Sequence, residues 1–317
     1  MELLLDDIKK PYVLASHQEY GVTMMDYNPQ LALFYEAGTG KTATALAWAY
    51  RALQDGRIDS VLVICPAPLV GKWYDDVDKM DLFEGFDAEG VKRLREATLV
   101  SSFQKTYRTT KHEVKHRDGR ITESKSTRLR PEVDRKWGAI IVDESHSLGG
   151  HSSIQTKACL TLAHLAHYRY ILTGTPVSGG GGKEDFQKLY GQLKFLNPQL
   201  WKNWTSFCKE CVKEWDDYHK PCAYRVEHCR DLMKEYGIAC RLVDCFDMPE
   251  TTETVIKCEL AEKKAYRDIS RGKIEPYNIE VRNAGGQYIK LLQLCSGHYK
   301  DKDGKAVIRT TSKDDVL

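Results

Sequence analysis

The sequence predicts an α/β chain built on a mostly parallel sheet with helices on both faces. Three observations carry that prediction. Apolar runs recur without polar alternation at Leu31 to Tyr35, Val61 to Cys65, Ala139 to Val142 and Tyr170 to Leu172. A strand that is apolar at every position is covered on both sides, which is the condition of a parallel sheet. Stretches of helical character lie between these runs, the order of repeated strand–helix crossovers.

The first run leads into Glu36-Ala37-Gly38-Thr39-Gly40-Lys41-Thr42, and an alanine-rich helical stretch, Ala43 to Leu53, follows. Strand, glycine loop, Lys-Thr and helix form the order that a phosphate-binding loop needs. Gly38 and Gly40 permit a tight turn with N–H groups facing inward, and the helix start adds donors and a partly positive dipole end. Thr39 lies between them. Lys41 would reach the β- and γ-phosphates of ATP, and Thr42 would place its hydroxyl on Mg²⁺. The first glycine of the strict eight-residue pattern is replaced by Tyr35, so the second half carries the signal. Upstream, Ser16 is a candidate N-cap. The Gln18 amide, with one donor and one acceptor side by side, suits an adenine edge.

Val61 to Cys65 is stopped by Pro66 and Pro68, which hold the next residues extended. A third strand is expected at Ala97 to Val100, before Ser101-Ser102. Residues 107–136 change character, with 10 Lys or Arg against 5 Asp or Glu and few large apolar side chains. Such a stretch buries little and predicts a projecting hairpin around Asp118-Gly119, basic enough to touch phosphates.

Trp137 to Val142 ends in Asp143-Glu144-Ser145-His146. Carboxylates at the C-terminal edge of a parallel sheet face the ligand crevice. Asp143 would hold Mg²⁺ and Glu144 would orient or deprotonate the attacking water. A helix over Ser153 to His167 precedes another strand that ends in Thr173-Gly174-Thr175-Pro176. Thr173 and Thr175 can bridge the carboxylates to whatever lies across the crevice. Four glycines, 179–182, form a flexible run. Phe186, Leu189, Tyr190 and Leu193 then mark one buried helix face.

From residue 201 the strand–helix alternation stops, and short helices are expected over 201–244. Cys208 and Cys211 have half-zinc-site spacing, and Cys222 and Cys229, with His219 and His228 nearby, could complete a site; their spacings are not a clean second pair, and unbound thiols are the simpler expectation. A strand is expected near 254–260 and further helices up to about residue 299.

Composition bounds the rest. A chain of 317 residues suggests about two domains. With 47 basic and 45 acidic residues, net charge alone argues for no polyanionic partner. No apolar run reaches 18 residues, so no membrane span is expected. The N-terminus lacks the form of a secretory signal. Ten cysteines without an export signal suit a reducing, cytoplasmic setting.

Five stretches together resemble the Swi/Snf-like branch of superfamily 2 helicases, the DNA-dependent ATPases. They are His17-Gln18, Gly38 to Thr42, Cys65-Pro66-Ala67 with Lys72-Trp73, Asp143 to His146, and Thr173 to Pro176. Phe195 to Pro198 and Gln293 to Gly297 also resemble family segments, and compact versions occur in bacteriophages, for which the setting would be the host cytoplasm. The resemblance implies a RecA-like, P-loop ATP-binding lobe over 1–200, with the strand near 254–260 returning to its sheet. A helical protrusion and connecting helices would span 201–299, and 300–317 would begin a linker. It implies nucleic-acid contacts at Pro66, Lys72 and Ser102, with duplex DNA favoured, and coupling of ATP to DNA through Thr173, Gly174 and Thr175. The four glycines stand where the family usually carries polar residues.

Family members pair this lobe with a second RecA-like lobe that supplies arginine fingers. The chain stops where that lobe would begin, so weak, little-stimulated ATP hydrolysis by these residues alone is the expectation. The expected function is the ATP-binding lobe of an ATP-dependent DNA translocase. Its rivals are a nucleotide-gated binding module with little hydrolysis, and another P-loop ATPase such as a restriction-system subunit.

Overall fold

Six strands pair side by side because both of their faces are covered by helices. The computed structural model describes residues 12–115, 121–180, 183–246, 263–272, 274, 277, 279–281, 284–296, 298–303 and 306–308. They belong to two units, Met1–Met248 and Pro249–Leu317.

The first unit begins with α1 (Ser16–Tyr27), β1 (Gln30–Tyr35), α2 (Lys41–Gln54), β2 (Val61–Cys65), α3 (Leu69–Asp78), α4 (Ala88–Ala97) and β3 (Thr98–Ser102). A ribbon of β4 (Tyr107–Lys115) and β5 (Ile121–Leu129) follows, then β6 (Trp137–Asp143), α5 (Ile154–Leu162) and β7 (Ala166–Leu172). The short strands β8 (Ser178–Gly180) and β9 (Lys183–Asp185) lead to α6 (Gln187–Leu196) and α7 (Trp204–Cys211). The unit ends with β10 (Val212–Trp215), β11 (Pro221–Tyr224), α8 (Val226–Tyr236), β12 (Gly237–Cys240) and α9 (Leu242–Cys245).

The main sheet has the order β12-β1-β7-β6-β2-β3, with every pairing parallel. Successive residues explain the unbroken apolar runs. Val61, Val63 and Cys65 of β2 pack with Val22 and Met25 of α1, Trp48 of α2, Trp73 of α3 and Leu94 of α4. Leu62 and Ile64 pack on the other face, with Cys159 of α5, Leu189 of α6, Phe207 of α7 and Leu232 of α8. Each fully buried Val, Leu or Ile gains about 1.5–3 kcal/mol over exposure. Because both faces are apolar, a one-residue slip would not expose a face, and register needs other pins. Gly138 is one: a Cβ there would lie 2.7 Å from Ile58 Cβ and 2.9 Å from Ser60 O.

Helix starts follow side-chain chemistry. Asp87 Oδ1 accepts from Gly90 N, Ser153 Oγ from Thr156 N, and Asn203 Oδ1 from Ser206 N. At α1 the cap differs from the expectation. Ser16 is the first helical residue and Ala15 the cap, its N–H donating to Gln18 Oε1 at 2.8 Å. Phe186, Leu189, Tyr190 and Leu193 are all buried, as their spacing predicts.

Residues 201–244 are not only short helices. They include the β10–β11 ribbon and an edge strand, β12, whose Gly237 to Cys240 pair with Ala32 to Tyr35. Tertiary pairing overrides a weak local signal here, since Gly-Ile-Ala-Cys has little strand character of its own. The strand expected near 254–260 and the Asp118-Gly119 turn lie outside the described residues. The flanking strands β4 and β5 do pair antiparallel from Tyr107↔Leu129 to Lys115↔Ile121. In the glycine run, Gly179 and Gly180 pair with Glu184 and Lys183.

The second unit holds α10 (Lys263–Ser270), α11 (Ala284–Cys295) and the antiparallel strands β13 (His298–Lys300) and β14 (Ala306–Ile308). Its core gathers Ala265, Ile269, Ile279 and Leu294. Among the described residues, no helix is long and apolar enough to cross a membrane.

Candidate nucleotide site

The sheet order places three loops side by side. From β1 the chain crosses to β2 and β3 at one edge of the sheet and returns through β6 and β7 to β12 at the other, so β1, β7 and β6 are parallel neighbours and the loops after them meet at the C-terminal edge. A cleft of about 730 Å³ opens there, lined by Gly38, Gly40, Lys41, Thr42, Asp143 and Glu144 among others.

The Glu36 to Thr42 loop has the backbone that its glycines allow. Gly38 and Gly40 take φ of 88° and 82°, and Gly40 caps α2. Thr39 Oγ1 donates to Glu36 O at 2.7 Å and closes the loop. Lys41 Nζ donates to Tyr35 O at 2.8 Å and to Glu36 O at 3.2 Å. Gln18 lies against the loop, its Nε2 donating to Gly40 O at 3.3 Å. Each end of the Gln18 amide thus has one backbone partner, and a side chain at Gly40 would collide with it.

Asp143 is 6% exposed at the end of β6. Its Oδ2 accepts from Trp73 Nε1 at 2.9 Å and its Oδ1 from Glu144 N at 2.8 Å. Burial raises the Asp143 carboxyl above its usual range, with the Glu144 charge adding to it. The Trp73 and Glu144 N–H bonds and Lys41 act against that rise. Glu144 adopts φ 48°, a left-handed conformation uncommon for a residue with a side chain.

His146 Nδ1 lies 3.2 Å from Glu144 Oε2, 3.1 Å from Thr173 Oγ1 and 3.3 Å from Thr175 Oγ1. The two threonines therefore meet the carboxylate side of the site through an imidazole. Gly174 sits against the start of the glycine loop, where a Cβ would lie 3.2 Å from Tyr35 O.

The residues expected at nucleic acid separate. Pro66 is partly exposed, and Lys72 is exposed and lines the cleft. Ser102 is 3% exposed at the end of β3 and presents almost no surface, and the buried Phe103 begins a 3-10 turn directly after it. Trp73, which shares the family-like stretch with Lys72, is buried on Asp143. Of the four cysteines weighed as zinc ligands, Cys211 and Cys229 are hydrogen-bonded to each other. Cys208, Cys211 and Cys229 are buried and Cys222 is exposed on β11.

The sequence matches the family described as SNF2-related domain over residues 17–290. The chain belongs to that family.

Relatives of this SNF2-related domain include DNA repair protein RAD5 of Yarrowia lipolytica, 27% identical over 188 residues, which are 54% of this chain and 17% of that protein. Human helicase-like transcription factor is 30% identical over 168 residues, 52% of this chain and 16% of that protein. Mouse chromodomain-helicase-DNA-binding protein 1-like is 23% identical over 271 residues, 78% of this chain and 26% of that protein. The chain therefore spans a minor part of these relatives. Among solved structures, the Sulfolobus solfataricus SWI2/SNF2 ATPase core in complex with dsDNA matches with a TM-score of 0.53 at 18% identity. That match covers 96% of this chain and 62% of the other, and it shows the shared fold.

Two side chains that tie these loops together escape sequence reasoning. Gln192 is fully buried on α6, where its Oε1 accepts from Ser145 Oγ at 2.9 Å and its Nε2 donates to Pro176 O at 2.8 Å. It ties the loop after β6 to the loop after β7. A glutamine inside the apolar stripe of Leu189, Tyr190 and Leu193 was the available signal. Trp73 carried none, because a tryptophan on a helix predicts burial and not its N–H partner.

Proposed function

We propose that this chain is the ATP-binding lobe of an ATP-dependent DNA translocase, acting with a second RecA-like lobe in the same or another chain. One observation carries the proposal. The Lys41–Thr42 loop and the Asp143–Glu144 pair share one cleft at the sheet edge, and His146 links that cleft to Thr173 and Thr175.

Lys41 would turn from the loop carbonyls to the β- and γ-phosphates, with loop N–H groups and the α2 start completing the cradle. Gln18 would present its remaining amide capacity to adenine. The oxygen donors Thr42 and Asp143 suit a hard cation and would hold Mg²⁺. When bound, Mg²⁺ supplies positive charge against the phosphate oxygens. Glu144 would orient or deprotonate the attacking water. Movement of Glu144 would reach Thr173, Gly174 and Thr175 through His146.

DNA is proposed as the track, duplex favoured. The relatives' names and the DNA-bound solved core support it. So does the β4–β5 ribbon, where Arg108 stands opposite Arg128. Like charges directly opposite on a ribbon are unfavourable alone and would be relieved by phosphates. Lys111 is already paired with Glu123 at 2.9 Å. Pro66 and Lys72 remain proposed contacts, and Ser102 would contribute through the shape of its strand end.

The test is binding of a fluorescent ATP analogue and ATP turnover with and without duplex DNA. Lys41→Ala should abolish nucleotide binding. Glu144→Gln should retain binding and lose turnover. Equal loss of both functions in Glu144→Gln would refute the assigned roles. Nucleotide binding without turnover when a second lobe is supplied would favour the binding-module reading.

A further inference from the structure

A second set of reactive side chains lies on the other side of the phosphate loop. Cys240 ends β12 and Cys245 ends α9, and their Sγ atoms stand 2.7 Å apart. His17 of α1 meets them. One donor atom each from His17, Cys240 and Cys245 lies within 4.8 Å of the others, and all three residues are partly buried.

The local structure holds this cluster in place. Arg241 pairs with Asp244 through two hydrogen bonds of 2.8 and 2.7 Å, folding the turn between the cysteines. Leu242 N donates to Glu36 Oε2 at 2.8 Å, and Glu36 N to Cys240 O at 2.9 Å, which fasten the turn to the phosphate loop. His17 is oriented from the same loop, its Nε2 lying 2.8 Å from Thr39 O. A carbonyl can only accept, so Nε2 carries the proton and the neutral ring has its lone pair on Nδ1. A metal-binding imidazole is commonly supported in this way, its other N–H held on a backbone carbonyl. Phe246 and Tyr35 flank the ring, with centroids 5.8 and 6.1 Å away.

We propose that His17, Cys240 and Cys245 form a Zn²⁺ site that staples α1 to the end of β12 beside the phosphate loop. Two thiolates and an imidazole are a zinc donor set, and three protein ligands leave one position for solvent. Binding releases the two thiol protons, so the charges of ion and thiolates balance. Zn–S bonds of about 2.3 Å at a tetrahedral angle place the sulfurs about 3.8 Å apart. The thiols thus spread by roughly 1 Å on binding, within the reach of side-chain torsions.

A second group, Glu210, Cys211 and His228, has comparable spacing but different chemistry. Glu210 already accepts from Trp201 Nε1 through Oε2 and pairs with His228 through Oε1, each at 2.8 Å. It forms a hydrogen-bonded cluster with its carboxylate committed.

The experiment uses the whole 317-residue chain, reduced and stripped of metal, with Co²⁺ as the spectroscopic probe and Zn²⁺ as competitor. One equivalent of Co²⁺ should give a thiolate-to-cobalt charge-transfer band that Zn²⁺ abolishes. Cys240→Ser and Cys245→Ser should each lose the band, and His17→Ala should weaken Zn²⁺ binding by at least about 100-fold. Cys222→Ser and His228→Ala should leave the band unchanged. Circular dichroism of the metal-free variants checks folding, and Cys245→Ala keeps the test open should Cys240→Ser not fold. Absence of the band in the reduced chain, or its survival in the double cysteine variant, would overturn the proposal. So would a metal-free chain whose mass is lower by two hydrogens under mild reductant, which would make the pair a disulfide.

Discussion

The indole N–H of Trp73 donates to the carboxylate of Asp143 at 2.9 Å inside the core, joining α3 to the end of β6. The bond holds one carboxylate oxygen while the Glu144 N–H holds the other. Trp73→Phe keeps an aromatic ring and removes the donor. It should cost about 1.5–3 kcal/mol, the worth of a hydrogen bond to a buried charged group. Urea unfolding at neutral pH measures this, and affinity for a Mg²⁺-dependent nucleotide analogue should fall in parallel.

Glu144 holds φ 48° between that carboxylate and His146. Left-handed backbone costs a residue with a Cβ about 1–2 kcal/mol, and more when the side chain is β-branched. Glu144→Val should therefore be less stable than Glu144→Gly by about that amount. Both lack the carboxylate, so their difference in melting is free of its loss.

The edge strand β12 relies on a missing side chain. A Cβ at Gly237 would lie 2.7 Å from Phe34 Cε2, 2.8 Å from Ala32 Cβ and 2.9 Å from Ala32 O. Gly237→Ala should destabilise the first unit by about 1–3 kcal/mol through overpacking. Hydrogen exchange at the backbone amides of residues 237–240 should accelerate more than exchange in β2.

Gln192 satisfies Ser145 and Pro176 from a buried position. Gln192→Leu keeps the volume and leaves both partners unpaired, which should cost about 2–4 kcal/mol. Chemical denaturation gives the stability. The same variant should lose more turnover than nucleotide binding if the clamp couples the two loops.

Burial pushes the Cys159 thiol up to about 12. Because the raised value keeps the neutral thiol up to that pH, Cys159 should resist alkylation from pH 7 to pH 9 in the folded chain. Cys222 is exposed and should label first. Mass mapping after iodoacetamide, with and without urea, checks both, and rapid native labelling of Cys159 would contradict its position between α5 and the sheet.

Much of the site was legible because its signals are local. Gly38, Gly40, Lys41 and Thr42 stand next to one another, as do Asp143, Glu144 and His146, and each set follows an apolar run that announces a buried strand. Such runs report that two faces are covered. They do not report what covers them.

The sequence by itself determined the α/β class, the glycine loop ahead of Lys41, the adjacent carboxylates and the family. Only the tertiary structure decided that β7 lies between β1 and β6, which sets Gly174 against Tyr35 and Thr173 against His146. It also decided that Trp73 meets Asp143, that Gln192 spans two loops, and that Gly237 to Cys240 join the sheet beside β1. Those contacts unite residues far apart in the chain. Periodicity shows which side of an element is buried, while sheet order and packing choose the partner across from it.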